Sequence, residues 1–443
     1  MYYIAISDNF TFQNLDMLPL TPLYLKFIAA IFGYSLKTVH FASALCGALS
    51  LVFACLTTKE FKGGNYAVIL TGLFGLFSGF IIFGGLFSYD SLEFLIITVA
   101  LYLLVRIFNS EKKELWIVFG IVMGLGLMNK LTILFFGFAV FLSLWFVPQR
   151  KYFKEKWIWL AGIIALVFLV PYLLWQSKNG WYFLDFARTY AGGNSYITSL
   201  PEFFWNQLIG NNVINFPVWI MGLYILIFSK NWSRYRFFGF TYIILFLLFF
   251  GAGAKFYFLI PMYSILLSVG SVKLESFFAV NDSSIKKHVL LRYVLPVFYV
   301  LLSIPTVALA IPFLSVESFE KLSEYIGVDA GVKHSHTRTR RLPQHFADRF
   351  GWEEMTMEIS KVYENLPADE RGKTGIIAEN WGEASAVNLY KNKYSLPEAI
   401  CADGWYYFET LRKKNFKDIY IAYGLNASDV AEVFNSAELK GIF

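Results

Sequence analysis

The sequence predicts a mostly α-helical, polytopic membrane bundle of about ten spans, followed by a small extracytoplasmic α/β domain. Three observations predict it. Of the 443 residues, 57% are hydrophobic and 16% charged, giving a mean hydropathy of +0.52, a balance foreign to soluble domains. Apolar runs long enough to cross a hydrocarbon core of about 30 Å as helices recur between residues 37 and 313. They are continuous and lack the alternation of barrel strands, so they are helical. After residue 313 the composition turns polar, and amphipathic stretches alternate with short apolar ones.

The opening stretch, MYYIAISDNFTFQNLDMLPLTPLY, has neither the charged n-region and apolar core of a signal peptide nor the length of a span. It reads as part of an external loop that continues through an amphipathic surface helix at about 20–33. Residues 1–36 therefore form a first region, 37–313 the membrane domain and 314–443 the outer domain. Spans are expected near 37–57, 66–84, 90–108, 115–129, 131–147, 157–176, 213–229, 237–253, 255–272 and 291–313. The pair 115–129 and 131–147 is short, with only Asn129-Lys130 between its members.

Lys and Arg collect in alternate loops: Lys59 and Lys62; Lys112 and Lys113; Arg150, Lys151, Lys154 and Lys156; Lys230, Arg234 and Arg236; Lys273, Lys286 and Lys287. The positive-inside rule makes these loops cytoplasmic. Residues 1–36, the 177–212 loop and everything after 313 then lie outside, and the net charge of +6 reflects topology more than a nucleic-acid surface.

Within the outer domain, WEEMTMEISKVYENL has helical spacing, TGIIAEN and FKDIYIAYGLN read as buried strands, and SDVAEVFNSA as a helix capped by Ser428. Cys46 and Cys55 fall in the first span and Cys401 stands alone in the tail, so no disulfide framework is implied. The sequence shows no internal repeat.

Polar groups at or inside a membrane are costly and mark candidate sites. In FGGLFSYDSLEF, Asp90 opens a span. Two readings are open: a helix cap, with Ser88 or Asp90 and Glu93 resembling a capping box, or an acid that also orients a polar substrate. In GIVMGLGLMNKLT, glycines 120, 124 and 126 allow close helix packing. Lys130, which follows them, either snorkels to the interface or receives a lipid phosphate. In GAGAKFYFLIPMY, Lys255 and Tyr257 fit a grip on a phosphoryl group as well as an aromatic belt. The long segment PYLLWQSKNGWYFLDFARTYAGGNSYITSLPEFFWNQL supplies Trp175, Trp181, Tyr182, Tyr190 and Tyr196, suited to an interfacial lip or a sugar-stacking wall, and Arg188 as a third external cation. Three such cations suggest a site for an anionic lipid head group. No Walker loop, Rossmann glycine pattern, CxxC pair or HExxH helix is present, and His334 and His336 in KHSHTRTRRL make a poor metal site. No metal and no cofactor are called for.

Taken together, LPLTPLYLKFIAAIFGYS, SYDSLEFLIITVALYLLVRIF, GLGLMNKLTILFFGFAV, PYLLWQSKNGW, FFWNQLIGNNVINFPVWIMGL and AKFYFLIPMY resemble the bacterial branch of the dolichyl-phosphate-mannose protein mannosyltransferases. These are GT-C fold glycosyltransferases of family 39 type, relatives of the lipid A aminoarabinose transferase. LPQHFADRFGW and AENWGEASAVNLY resemble the tails of such proteins. The resemblance implies a multi-pass enzyme of the bacterial inner membrane, with its C-terminal domain outside the cytoplasm. It would move a sugar, a hexose or pentose, from a polyprenyl-phosphate donor to a glycolipid such as lipid A, a polysaccharide or a protein.

The resemblance also implies a catalytic Asp-Glu pair in the first external loop, followed by two aromatics, a later Asp and Pro-Pro-Leu. Tyr2 and Tyr3 match the aromatics and Asp16 the later Asp, while Leu18-Pro19-Leu20 replaces Pro-Pro-Leu. The pair itself would precede Met1. A longer product with a further span ending in Asp-Glu is therefore the expectation. Asp16 and Asp90 remain as candidate catalytic carboxylates, and Lys130, Lys255, Tyr257 and Arg188 as candidates for the donor phosphate. A lipid or glycolipid transporter is the alternative class; it accounts for the spans, but such proteins favour inverted repeats and mid-membrane breaks.

Overall fold

The computed structural model describes residues 1–11, 17–184, 188, 199–278, 286–311, 313–326, 342, 344–414 and 416–441. Helices α1 (Tyr2–Asn9) and α2 (Leu20–Phe32) precede α3 (Leu36–Glu60), α4 (Asn65–Leu76), α5 (Phe80–Gly85), α6 (Tyr89–Ser110), α7 (Leu115–Leu127), α8 (Ile133–Trp145) and α9 (Lys156–Lys178). Then come α10 (Leu200–Gly210), α11 (Phe216–Phe228), α12 (Arg236–Gly251), α13 (Tyr263–Phe278), α14 (Lys286–Ala310) and α15 (Val316–Ile326). The tail adds α16 (Trp352–Glu364), β1 (Thr374–Ala378), α17 (Trp381–Tyr394), β2 (Ala399–Ile400), α18 (Trp405–Lys413), β3 (Ile419–Tyr423) and α19 (Ala427–Val433). The chain divides into two compact units, one of Leu18–Thr21 with Ile28–Val328, the other of Met1–Met17, Pro22–Phe27 and Asp329–Phe443.

Among the described residues of the first unit, six helices are long and apolar enough to cross a membrane, or up to eight if each bent pair is one span. Ten were expected, and the difference lies in the breaks. The run expected at 66–84 stops at Ser78, whose hydroxyl donates to the Gly75 carbonyl at 2.7 Å, leaving α4 at 12 residues. Helices α7 and α8 have 13 residues each, about 20 Å at ~1.5 Å per residue. The expected external loop at 177–212 contains α10, capped by the Ser199 hydroxyl and burying Phe203, Gln207 and Leu208. Between α10 and α11 the chain bends by 97°, with Asn212 at a φ of 64°.

Burial orders the bundle. The apolar windows of α6 and of Phe256–Phe278 are 78% and 72% buried, against 22% for α9 and 17% for α14, so the first two form its centre. Glycines set the close approaches. A Cβ on Gly120 would lie 2.6 Å from the Ala161 carbonyl oxygen of α9, and one on Gly124 would lie 2.6 Å from the Phe168 ring. Helices α11 and α13 meet the same way, Gly222 against the Leu266 carbonyl and Gly270 against the Val218 carbonyl.

The basic loops gather at one end of this unit. Gln149 donates to the Arg234 carbonyl at 2.8 Å, Tyr235 to Asn109 at 2.5 Å, Lys151 to Glu111 at 2.9 Å and Asn109 to the Glu60 carbonyl at 2.8 Å. Glu275 accepts from the backbone of Gly64 at 2.6 Å and of Tyr66 at 3.1 Å. Five loops that the charge pattern groups together are therefore neighbours in space.

In the second unit, three parallel strands run in the order β2-β1-β3, with Ile376 of β1 paired to Ala399 and Ile421. Asn380 caps α17, its Oδ1 accepting from Gly382 and Glu383 at 2.9 and 3.1 Å. Helices α16 and α17 cover the sheet with Met355, Ile359, Ala384 and Val387, and α1 enters the same core through Tyr2 and Ile6. The Tyr2 ring lies 4.6 Å from that of Trp381, and its hydroxyl accepts from the Trp405 N–H at 3.1 Å. Residues expected to form a loop thus share a core with the tail. Helix α19 starts at an Asn426 cap, two residues before Ser428, whose hydroxyl donates to Asp429 at 3.3 Å. Burial, with Glu379 beside it, raises the Glu383 carboxyl above its ordinary range, and burial pushes the Cys401 thiol up to about 12. Cys46, Cys55 and Cys401 are all free thiols.

Candidate functional site

The site is built at the N-terminal end of α6. Ser88 caps the helix, accepting from the Asp90 N–H at 3.2 Å, and the reciprocal partner of this capping box is Ser91, which accepts from the Ser88 N–H at 3.3 Å. The sequence suggested Glu93 for that place. Because Ser91 takes it, Glu93 turns inward instead. Asp90 and Glu93, three residues apart, share one helix face.

Lys130 meets both. Its ammonium lies 2.6 Å from Asp90 Oδ1 and 3.1 Å from Glu93 Oε2, and the Thr132 hydroxyl donates to the other Glu93 oxygen. The Glu93 side chain is 3% exposed, those of Asp90 and Lys130 15% and 22%. Over its remaining side Lys130 has the Phe258 ring, 3.9 Å from the ammonium to the centroid, a stacking that helps to desolvate the charge. Two carboxylates thus hold the Lys130 ammonium.

Three segments fix the turn that carries it. The Lys130 N–H closes α7 on the Gly126 carbonyl at 2.9 Å. Asn129, 1% exposed, donates to the Tyr89 carbonyl at 2.8 Å and accepts from the Thr21 hydroxyl at 2.5 Å. The Leu20 N–H donates to the Met128 carbonyl at 2.9 Å. Short buried bonds of this kind are costly to break, because each partner would be left unsatisfied.

Lys255 stands before the 3-10 turn Phe256–Met262. It is exposed, its ammonium 5.7 Å from the Tyr257 ring centroid, and among the described residues no carboxylate forms an ion pair with it. Tyr257 packs its ring 5.2 Å from that of Phe83, beside the buried pair Phe80 and Phe94.

Of the residues that the sequence put forward, the structure brings Asp90, Lys130, Lys255 and Tyr257 to one end of the bundle. Arg188 is exposed and is a partner of none of the first three. Asp16 lies outside the described residues, as do Tyr190, Tyr196, His334 and His336. Among the described residues no group of three or more His, Cys, Asp or Glu is placed to hold a metal ion. Glu93, Asn129, Thr132, Thr21 and Phe258 escaped the sequence reading as site residues. Glu93 carried the one usable signal, a second acid one helical turn after Asp90. The cluster sets two carboxylates against one ammonium, with a second ammonium nearby that pairs with no carboxylate among the described residues, an arrangement that can orient a hydroxyl-rich substrate and receive an anion.

Residues 16–175 match the family described as dolichyl-phosphate-mannose-protein mannosyltransferase. That stretch contains Asp90, Glu93, Asn129, Lys130 and Thr132. The match supports a membrane glycosyltransferase in general, one that takes a lipid-linked sugar donor and an acceptor. No curated protein matches the chain.

Proposed function

We propose that this chain, which carries the mannosyltransferase pattern over residues 16–175, transfers a sugar from a polyprenyl-phosphate donor to a glycolipid, polysaccharide or protein acceptor at the outer face of the bacterial inner membrane. One observation carries the reading. Lys255, unpaired among the described residues, stands on the same end of the bundle as a carboxylate cluster whose own ammonium is already engaged.

Transfer breaks the bond between the anomeric carbon and the phosphate oxygen, and the electron pair leaves with the lipid phosphate. Lys255, with Tyr257 beside it, would receive that charge; an ammonium fixed in place ahead of the reaction does so without reorganisation. The acceptor hydroxyl or amine attacks the anomeric carbon and must lose a proton to a carboxylate. Asp90 is the carboxylate proposed for this end of the site, and Asp16 is the second candidate acid of the chain. Asp90 has one oxygen on Lys130, which suits it to orienting the acceptor. The buried Glu93 and the half-buried Thr132 keep Lys130 and therefore Asp90 in register.

The bent pair α10 and α11, at 97°, is the feature that favours a lipid transporter, since broken helices line transport sites. Membranes containing the chain, given a radiolabelled polyprenyl-phosphate sugar, separate the readings. Label appearing in an acceptor fraction supports transfer, and label crossing the bilayer while still on its lipid supports transport.

A further inference from the structure

We infer that Gln207 is a positioning residue for the donor phosphate, holding the backbone of the turn that presents Lys255 and Tyr257. The inference rests on the lipid-phosphate reading above and names a residue that this reading does not use.

Gln207 lies on α10 and is 0% exposed. Its Nε2 donates at 2.8 Å to the carbonyl of Phe256, the residue between Lys255 and Tyr257. Its Oε1 accepts at 3.0 Å from the hydroxyl of Tyr263, which lies 3.0 Å from that of Tyr242. The amide can sit only one way round, because a flip would set Oε1 against the Phe256 carbonyl, acceptor against acceptor.

An apolar side chain of similar volume would fill this place without desolvating an amide. What the amide adds is a directed bond to one peptide of a short 3-10 segment. Helix α10 also presses on that segment through Gly210, where a Cβ would lie 2.6 Å from the Phe256 ring. The same segment supplies Phe258, whose ring covers the Lys130 ammonium. Three groups of the site thus depend on the placement of one backbone stretch. Gln207 ties that stretch to α10, and the two tyrosines tie Gln207 to α12 and α13.

The test measures the affinity of the full chain, in lipid nanodiscs, for a long-chain polyprenyl phosphate across pH, for the wild type and for Gln207→Glu. A protonated Glu at this position donates to the Phe256 carbonyl and accepts from Tyr263, as Gln does; an ionised one faces the carbonyl with a lone pair. The ratio of variant to wild-type affinity should stay near one at low pH and fall about tenfold as the introduced carboxyl ionises, the size of one lost buried hydrogen bond. A ratio that does not move with pH overturns the inference, as does Gln207→Leu, which fills the same space without the bond and cannot ionise, if it binds as tightly as wild type. If the variant does not fold, Tyr263→Phe, which keeps the ring and removes the bond to Oε1, should weaken binding several-fold with unfolding still cooperative; unchanged affinity overturns the inference there too. Wild-type protein that does not bind polyprenyl phosphate at any pH refutes the donor-phosphate reading itself, and the inference falls with it.

Discussion

The Lys130 ammonium lies 2.6 Å from the Asp90 carboxylate, although 40 positions separate them in the chain. The two are one unit, completed by Glu93 and Thr132, whereas among the described residues no carboxylate pairs with Lys255.

Replacing Lys130 by Met should therefore act mainly on stability. It leaves Asp90 and a nearly fully buried Glu93 facing one another without their counter-charge, at a cost of about 3 kcal/mol. Thermal unfolding in detergent should show the single variant well below wild type, and the triple variant Lys130→Met, Asp90→Asn, Glu93→Gln recovering most of the loss. Equal melting of single variant and wild type would show that the cluster is not an energetic unit.

Lys255→Ala should weaken binding of a polyprenyl phosphate by about tenfold or more, the size expected for one charge-assisted contact, with little effect on unfolding because the side chain is exposed. Lys255→Arg, which keeps the charge, should retain most of the affinity. An alanine variant that binds polyprenyl phosphate as tightly as wild type would contradict the assignment.

Much of this was legible in the sequence, and the limits have physical causes. Apolar runs and alternating basic loops gave the helical bundle and grouped the loops that the structure finds side by side. The break at Ser78 was harder to see, because it interrupts a run that remains apolar on both sides, and hydropathy averages across it; the stretch before Asn212 was read as a loop because its apolar residues are mixed with Asn206, Gln207, Asn211 and Asn212. Asp90, Lys130, Lys255 and Tyr257 stood out as polar residues at the ends of apolar runs. Glu93 was misassigned because a capping box and an inward-facing acid look alike in one dimension, and only the Ser91 contact distinguishes them. Phe258 and Gln207 gave no signal, since an aromatic or an amide near a membrane surface is ordinary. In the tail, β2 is two residues long, too short for periodicity to mark.

Close helix approach through Gly120 is open to a direct check. Gly120→Val forces side-chain atoms against the Ala161 backbone and should cost about 1–3 kcal/mol, the usual size of overpacking. Gly162→Ala, on the facing helix but with no atom within 4 Å of the added carbon, should be neutral or slightly stabilising. Similar melting of both variants would show that α7 and α9 do not pack through Gly120.

Glu383 offers a test of the second unit. Its carboxyl is raised in the fold, so the folded state binds a proton more readily than the unfolded one. Stability then falls as pH rises from the ordinary carboxylate value through the raised one. Glu383→Gln keeps an acceptor for the Glu379 N–H and removes the charge. It should be more stable than wild type at neutral pH, with the difference shrinking as the pH is lowered through the raised carboxyl. Unfolding curves of the full chain at a series of pH values measure this, and a pH-independent difference would refute it.

The most direct measurement is sugar transfer itself. Membranes with the wild-type chain and with Lys255→Ala are supplied with radiolabelled polyprenyl-phosphate sugar, and label is followed into the acceptor fraction. The account predicts label in the acceptor for wild type and a loss of about tenfold or more for the variant. Label that stays on the polyprenyl lipid in both, or that reaches the acceptor equally in both, would contradict it.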